Sequence, residues 1–208
     1  MSQTDAHAIE PADSPLTPES WGKLGMWVFL AGDAMSFGVL LAAYGAVRFA
    51  SPNWPDPKHV LGIRLTAFMT FLLICSSVTM VKALEGIRKG DPGRLKLFLG
   101  LTILGGLSFL GMQAYEWTHL LGHVMTVKQC LPHEGHTYDA LFGTTFFILT
   151  GFHGCHVLGG VIYLSCILAA ASRGAYSAAS HNPVEIVGLY WHFVDLIWIL
   201  VFTFVYLI

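Results

Sequence analysis

Five long apolar segments constrain the fold of this chain more than any other feature of its sequence. They lie at about residues 24–47, 65–81, 97–115, 140–171 and 186–208. A run of roughly 20 apolar residues can cross the hydrocarbon core of a bilayer as a helix. Only 12% of the 208 residues are charged, against about 25% in a typical soluble domain. The sequence therefore predicts an all-α integral membrane protein, a five-transmembrane-helix bundle.

The segments outside the helices set the domain organisation. The predicted helices cover about residues 22–49, 63–87, 94–122, 139–172 and 184–208, and together they form one domain over residues 21–208. Residues 1–20 contain four acidic side chains and no apolar run, which is typical of a polar, flexible tail and not of a cleaved signal peptide. The net charge of −2 gives no indication of a nucleic-acid partner.

Basic residues in the loops predict the orientation, because cytoplasmic loops carry an excess of lysine and arginine. With five spans, the N-terminus shares one side of the membrane with the loops after helices 2 and 4. That side carries Lys23, Lys82, Arg88, Lys89, Arg94, Lys96 and Arg173. The other side carries Arg48, Lys58, Arg64 and Lys128. We therefore expect a cytoplasmic N-terminus and a periplasmic C-terminus.

The last apolar run contains two ionisable side chains. His192 and Asp195 are three positions apart and share one helical face, among Tyr190, Trp191 and Trp198. An ionisable group in hydrocarbon costs at least a few kcal/mol, so it normally faces protein and has a partner. We expect His192 and Asp195 to be structural and to face the other helices.

Asp33 lies in the middle of helix 1, and His153 and His156 lie in helix 4. Two interpretations of Asp33 are open: a carboxyl group hydrogen-bonded to a neighbouring helix, or a proton-relay or substrate site. The two histidines are interpreted as buried imidazoles bonded to neighbouring helices in preference to metal ligands. Because a buried acid needs a partner, we expect Asp33 to hydrogen-bond His156 or His153.

Glu116 and His119 have the Glu-x-x-His spacing of di-iron carboxylate bundles, but the second motif of such bundles is missing. We expect Glu116 to contact the start of helix 4 or its own turn. His133, Glu134 and His136 are interpreted as a solvated loop. The four cysteines have neither zinc nor redox spacing. The sequence therefore predicts no catalytic residue and no metal site. It predicts a buried polar network of Asp33, Glu116, His153, His156, His192 and Asp195.

Four motifs together resemble subunit III of the haem–copper respiratory oxidases, from about Lys23 to Ile208. The family patterns are Gly-Met-x-x-Phe-x-x-Ser-Glu, Gln-Ala-x-Glu-aromatic, Thr-Gly-Phe-His-Gly-x-His-Val and Tyr-Trp-His-Phe-Val-Asp-x-x-Trp. They correspond in order to residues 25–33, 113–117, 150–157 and 190–198. At the family's intramembrane glutamate this chain has Asp33, one methylene shorter, preceded by Gly32 in place of serine. Its five predicted helices are similar to the bacterial form of the family.

This resemblance implies an accessory role in a proton-pumping terminal oxidase, with haem and copper held by partner subunits and no cofactor in this chain. It implies packing on subunit I, with subunit II and a small subunit IV as further partners, in the bacterial cytoplasmic membrane. It also implies bound phospholipid, protection of an oxygen-access route and support of proton uptake. Asp33, Trp27 and Phe29 are the expected contacts to lipid or to the oxygen route.

Three alternatives remain open from the sequence. One is the related accessory subunit of a nitric-oxide reductase. Another is a stand-alone proton-coupled transporter, whose acids Asp33, Glu116 and Asp195 would line one continuous path. The third is a membrane metalloenzyme that uses His119, His153 and His156 with Glu116. Within the oxidase family, the sequence does not distinguish cytochrome c from quinol as the electron donor.

Overall fold

The computed structural model describes residues 21–52, 54–55, 61–123 and 140–208, and within these ranges the only regular secondary structure is helical. Each of five helices is long and apolar enough to cross a membrane, as predicted. They are α1 (Trp21–Ala50), α2 (Ile63–Arg88), α3 (Pro92–His123), α4 (Ala140–Ser172) and α5 (Asn182–Val201). A π-helical segment, Phe202–Leu207, continues α5 to the end of the chain.

The bundle is a ring of four helices with α1 on its outside. α2, α3, α4 and α5 each contact the next helix in order, and α5 closes the ring against α2. α1 packs against α4 and α5. Half of the most apolar stretch of α5 is buried, but only 17% of that of α1. α5 is therefore the central helix, and α1 leaves most of its surface for lipid or another protein.

Glycines allow the helices to approach the bulky side chains of α5 closely. A Cβ atom at Gly106 of α3 would lie 2.6 Å from Cη2 of Trp191, and one at Gly160 of α4 would lie 2.8 Å from the same ring. A Cβ at Gly154 would lie 2.8 Å from Oε1 of Gln113. Trp191 therefore fills the space that Gly106 and Gly160 leave, and these small residues let the helices pack closely.

Two tight turns join the helices at the end of the bundle where α1 begins. Gly90 follows α2 with φ of 75°, and Gly174 follows α4 with φ of 78°, a conformation that favours glycine. Oδ1 of Asp91 accepts the backbone N–H groups of Gly93 and Arg94 at 3.0 Å and so caps α3. Three residues, 89–91, connect α2 to α3, and nine residues, 173–181, connect α4 to α5.

Candidate functional site

Asp33 of α1 bonds His156 of α4. Nε2 of His156 lies 3.1 Å from Oδ1 of Asp33, and its Nδ1 lies 2.7 Å from the carbonyl oxygen of Phe152. A carbonyl oxygen only accepts hydrogen bonds, so Nδ1 carries a proton. The contact predicted between Asp33 and helix 4 is confirmed with His156.

His153 is not part of that contact. Its side chain is fully buried between Phe37, Phe109 and Trp198, whose ring centroids lie 6.3, 5.7 and 4.8 Å from the imidazole centroid. Among the described residues, neither of its ring nitrogens has a hydrogen-bond partner. Asp33 therefore selects His156 over His153, and His153 acts as a packed aromatic ring in the core.

Glu116 of α3 links that helix to α2 and to the π-helical segment, near the end of the bundle opposite the start of α1. Its Oε1 accepts the hydroxyl of Thr66 on α2, and its Oε2 accepts the hydroxyl of Tyr206 in the π-helical segment, both at 3.0 Å. The predicted contact with the start of helix 4 or with its own turn is wrong. The rotation of α3 buries the Glu116 side chain between α2 and the end of α5, where two hydroxyl groups are available.

The positions of Thr66, Glu116 and Tyr206 along their helices indicate these contacts, although the motifs by themselves do not. Thr66 lies one turn after the start of α2, Glu116 lies two turns before the end of α3, and Tyr206 lies at the end of the chain. Alternating helix directions place all three at the same end of a five-helix bundle. The matching depth of these polar side chains therefore indicates that they contact each other.

The polar residues of α5 face into the bundle, as predicted. Nδ1 of His192 lies 2.6 Å from the hydroxyl oxygen of Ser77 on α2, and Asp195 is only 8% exposed. The neighbouring Trp191 and Trp198 also form hydrogen bonds to α2. The indole N–H of Trp191 donates to the Ser76 hydroxyl, and that of Trp198 donates to the hydroxyl of Thr70 on α2.

The six side chains predicted as one buried polar network are thus distributed over separate contacts. Asp33 and His156 join α1 to α4, Glu116 joins α3 to α2 and the π-helical segment, and His192 joins α5 to α2. Trp27 and Phe29 of α1 are 58% and 51% exposed, and the ring of Phe29 lies 6.2 Å from that of Tyr190, whereas Asp33 is buried.

The described residues contain no group of three or more His, Cys, Asp or Glu side chains that could hold a metal ion. Glu116 bonds hydroxyl groups, and the ring of His119 packs near Tyr115, with centroids 6.4 Å apart. The loop residues His133, Glu134 and His136, and also Cys130, lie outside the described residues.

The Asp33–His156 contact should appear as a coupling between two substitutions. We expect Asp33→Ala and His156→Phe each to lower the melting temperature Tm, because each leaves the other polar group buried without its partner. The double variant should lose less than the sum, with a coupling of about 0.5–3 kcal/mol. Thermal denaturation of the solubilised protein measures these shifts.

Ser36→Ala is the matched control for this cycle. The Ser36 hydroxyl also lies on α1, but among the described residues it bonds the carbonyl oxygen of Gly32 in the same helix and no other group. We expect the effect of Ser36→Ala on stability to add to that of His156→Phe without coupling. Strict additivity of Asp33→Ala and His156→Phe would show that the contact contributes nothing to stability.

Comparison with known proteins extends over almost the whole chain. The profile of the family described as Cytochrome c oxidase subunit III matches residues 20–208. Cytochrome c oxidase subunit 3 of Corynebacterium diphtheriae is 35% identical over 188 residues, which cover 89% of this chain and 87% of that protein. The Bacillus subtilis subunit 3 is 32% identical over 187 residues, covering 88% and 84%.

A third relative, the probable cytochrome c oxidase subunit 3 of Mycobacterium tuberculosis strain H37Rv, is 32% identical over 206 residues. That match covers 99% of this chain and 97% of the relative. The match therefore spans all five helices. The chain belongs to the cytochrome c oxidase subunit III family.

Proposed function

We propose that this chain is the non-catalytic accessory subunit of a proton-pumping haem–copper terminal oxidase. The observation that carries the proposal is the use of its buried ionisable groups. Asp33 and His156, Glu116 and Tyr206, and His192 and Ser77 each join two helices of the bundle and do not converge on one point. Such contacts stabilise a scaffold, while electron transfer to oxygen takes place at haem and copper in partner subunits.

The proposed direct partner is subunit I, with subunit II and a small subunit IV in the same complex. In this role the chain supports assembly, phospholipid binding, oxygen access and proton uptake. The exposed surface of α1 supports this proposal. It carries large apolar side chains such as Trp27, Met35 and Val39, which can contact a protein or lipid neighbour. Because the relatives are subunits of cytochrome c oxidases, we propose cytochrome c and not quinol as the electron donor of the complex.

The proposed location is the bacterial cytoplasmic membrane, with a cytoplasmic N-terminus and a periplasmic C-terminus. The relatives quoted above are bacterial. The start of α1, the end of α2 and the start of α5 lie together, since Lys23 and Arg88 both contact Glu185. That end of the bundle also contains Lys82, Lys89 and Arg94, the composition expected of a cytoplasmic face.

Mild purification from native membranes tests the proposal. A tagged chain should co-purify with a haem-containing subunit, and the preparation should show a reduced-minus-oxidised haem spectrum and consume oxygen with reduced cytochrome c. A tagged unrelated multi-pass protein from the same membranes controls for adventitious haem. Recovery of a stable chain without companions that conducts protons by itself would contradict the proposal and favour the transporter alternative.

A further inference from the structure

α1 differs from the central helix α5 in how little of it is buried. Ten of the 20 residues of α5 are buried, whereas α1 buries four of its 30, which are Leu30, Asp33, Phe37 and Tyr44. In a bilayer the lipid tails are as apolar as the side chains. Helices therefore associate there through close packing and hydrogen bonds, and not through the hydrophobic effect. The packing and the polar contacts of α1 thus decide how firmly it is held.

The backbone of α1 does not approach another helix closely beyond its first turn. At Gly22 a Cβ atom would lie 2.8 Å from Cδ1 of Ile186 on α5. The four later glycines of α1 have no atom within 4 Å of the position that a Cβ would occupy; they are Gly25, Gly32, Gly38 and Gly45. The interlocking of glycines with bulky side chains that joins α3 and α4 to α5 therefore does not extend along α1.

The ring contacts between α1 and α4 are concentrated at Phe37. Its ring centroid lies 4.9 Å from that of Phe152 and 5.3 Å from that of His156. Next to these rings, an apolar groove of about 520 Å³ lies between the two helices, and its walls include Val39 and Ile148. The packing of α1 on α4 is therefore local and does not continue along the helix.

The first of three polar contacts between α1 and the rest of the described bundle lies at the start of the helix. Nζ of Lys23 lies 2.5 Å from Oε2 of Glu185 on α5. Glu185 is also bound to α2, because Nη2 of Arg88 lies 2.6 Å from its Oε1. One carboxylate thus connects the start of α1 to two helices of the four-helix ring.

The second and third contacts lie at the middle and the end of α1. Asp33 bonds His156 of α4. Nη2 of Arg48 donates to the carbonyl oxygen of Ile208, which follows the π-helical segment. With a rise of 1.5 Å per residue, the three contacts are about 15 and 22 Å apart along α1. They therefore hold the whole length of a helix that is otherwise loosely packed.

We propose that α1 is a separable unit of this fold, which docks last on the ring of α2–α5 and leaves it first. The three polar contacts set the strength of its attachment. The ring keeps its structure without α1, because its four helices contact one another in a closed circle and interlock at Gly106 and Gly160. Detachment uncovers the surface of α4 and α5 that carries His156 and Tyr190. This inference goes beyond the proposed function, since it concerns the order in which the chain itself assembles.

Spin-label distances followed through a titration with SDS test the proposal. The protein is purified with its accompanying subunits, and its four cysteines are replaced by alanine. Labels on Val28→Cys of α1 and Leu104→Cys of α3 report the docking of α1. Labels on Leu104→Cys and Leu196→Cys of α5 report the ring, and all three positions are exposed. Double electron–electron resonance should show that the α1–α3 distance is lost at a lower SDS fraction than the α3–α5 distance.

Two variants weaken the polar contacts one at a time. His156→Phe removes the partner of Asp33 and keeps an aromatic ring beside Phe37, and Arg48→Met removes the donor to Ile208 and keeps the length of the side chain. Each should raise the ratio of detached to docked α1 at a fixed SDS fraction about three- to thirtyfold. The two effects should multiply, because the sites are far apart. The SDS fraction at which the ring distance is lost should stay the same.

Gln113→Leu is the matched control. Nε2 of Gln113 donates to the carbonyl oxygen of Thr150 at 2.8 Å and so joins α3 to α4 within the ring. Its loss should shift the SDS fraction at which the ring distance is lost, and it should leave the attachment of α1 unchanged below that fraction. Loss of both distances at the same SDS fraction in the protein without these substitutions would overturn the proposal. A His156→Phe or Arg48→Met variant that shifts both distances together, or neither, would overturn it as well.

Discussion

Replacing Glu116 by alanine is expected to destabilise the bundle strongly. The substitution removes the carboxylate that accepts hydrogen bonds from the buried hydroxyls of Thr66 and Tyr206, each with an oxygen–oxygen distance of 3.0 Å. The Tyr206 hydroxyl then has no acceptor, whereas the Thr66 hydroxyl can still donate to the carbonyl oxygen of Gly62 at 3.3 Å. One orphaned buried group costs about 1–3 kcal/mol, which is the expected loss. Thermal denaturation of the solubilised complex, followed as loss of this chain from the folded fraction, measures it.

Two conservative variants separate the hydrogen bonds from the volume of the side chain. Glu116→Gln keeps the size and one acceptor oxygen, and we expect it to retain most of the stability. Tyr206→Phe removes only the Oε2 bond, so it should lose about 1–3 kcal/mol. If Glu116→Gln were as damaging as Glu116→Ala, the two hydroxyl contacts would not explain the stability, and a requirement for charge would replace them.

Adding one methyl group at Gly106 should also destabilise the chain strongly. The new Cβ would lie 2.6 Å from Cη2 of Trp191 and 2.6 Å from Cγ2 of Val161. Trp191 is 1% exposed and its N–H is held by Ser76, so the ring has little freedom to move. Overpacking of this kind costs about 1–3 kcal/mol, which corresponds to roughly 2–12 °C in Tm for a chain of this size.

Gly111→Ala is the matched control, because it makes the same chemical change in the same helix α3. A Cβ at Gly111 meets no atom within 4 Å. Alanine favours the helix over glycine by up to about 1 kcal/mol, so this variant should be neutral or slightly stabilising. Equal loss of Tm in Gly106→Ala and Gly111→Ala would mean that close packing on Trp191 is not the cause.

The helices of this fold could be predicted from the sequence because each apolar run is long enough to cross a bilayer. The predicted first helix, at about residues 22–49, differs from the observed Trp21–Ala50 by one residue at each end. The partner of Asp33 could be limited to two imidazoles, since a buried carboxyl group in hydrocarbon needs a polar neighbour. The length of an apolar run and the cost of burying a carboxyl group depend only on the residues of that run, so both can be inferred from the sequence.

The rotation of each helix about its axis could not be predicted in the same way. His153 and His156 lie in the same short motif, yet only His156 faces Asp33, and His153 is enclosed by rings of α1, α3 and α5. The partner of Glu116 was missed for the same reason. Apolar residues surround transmembrane helices on every side, so hydrophobic periodicity does not identify the inward face.

The π-helical segment at the end of α5 determines which side of the helix its last aromatic residue occupies. Trp198 and Tyr206 are eight residues apart and both fully buried. In an α-helix of 3.6 residues per turn, eight residues overshoot two full turns by roughly 80°. The wider turns, in which the N–H of Ile208 donates to the carbonyl of Thr203, reduce that overshoot and keep Tyr206 beneath Trp198. A single inserted residue between these two side chains would turn the phenol out toward the lipid tails, even though the composition of the helix would hardly change.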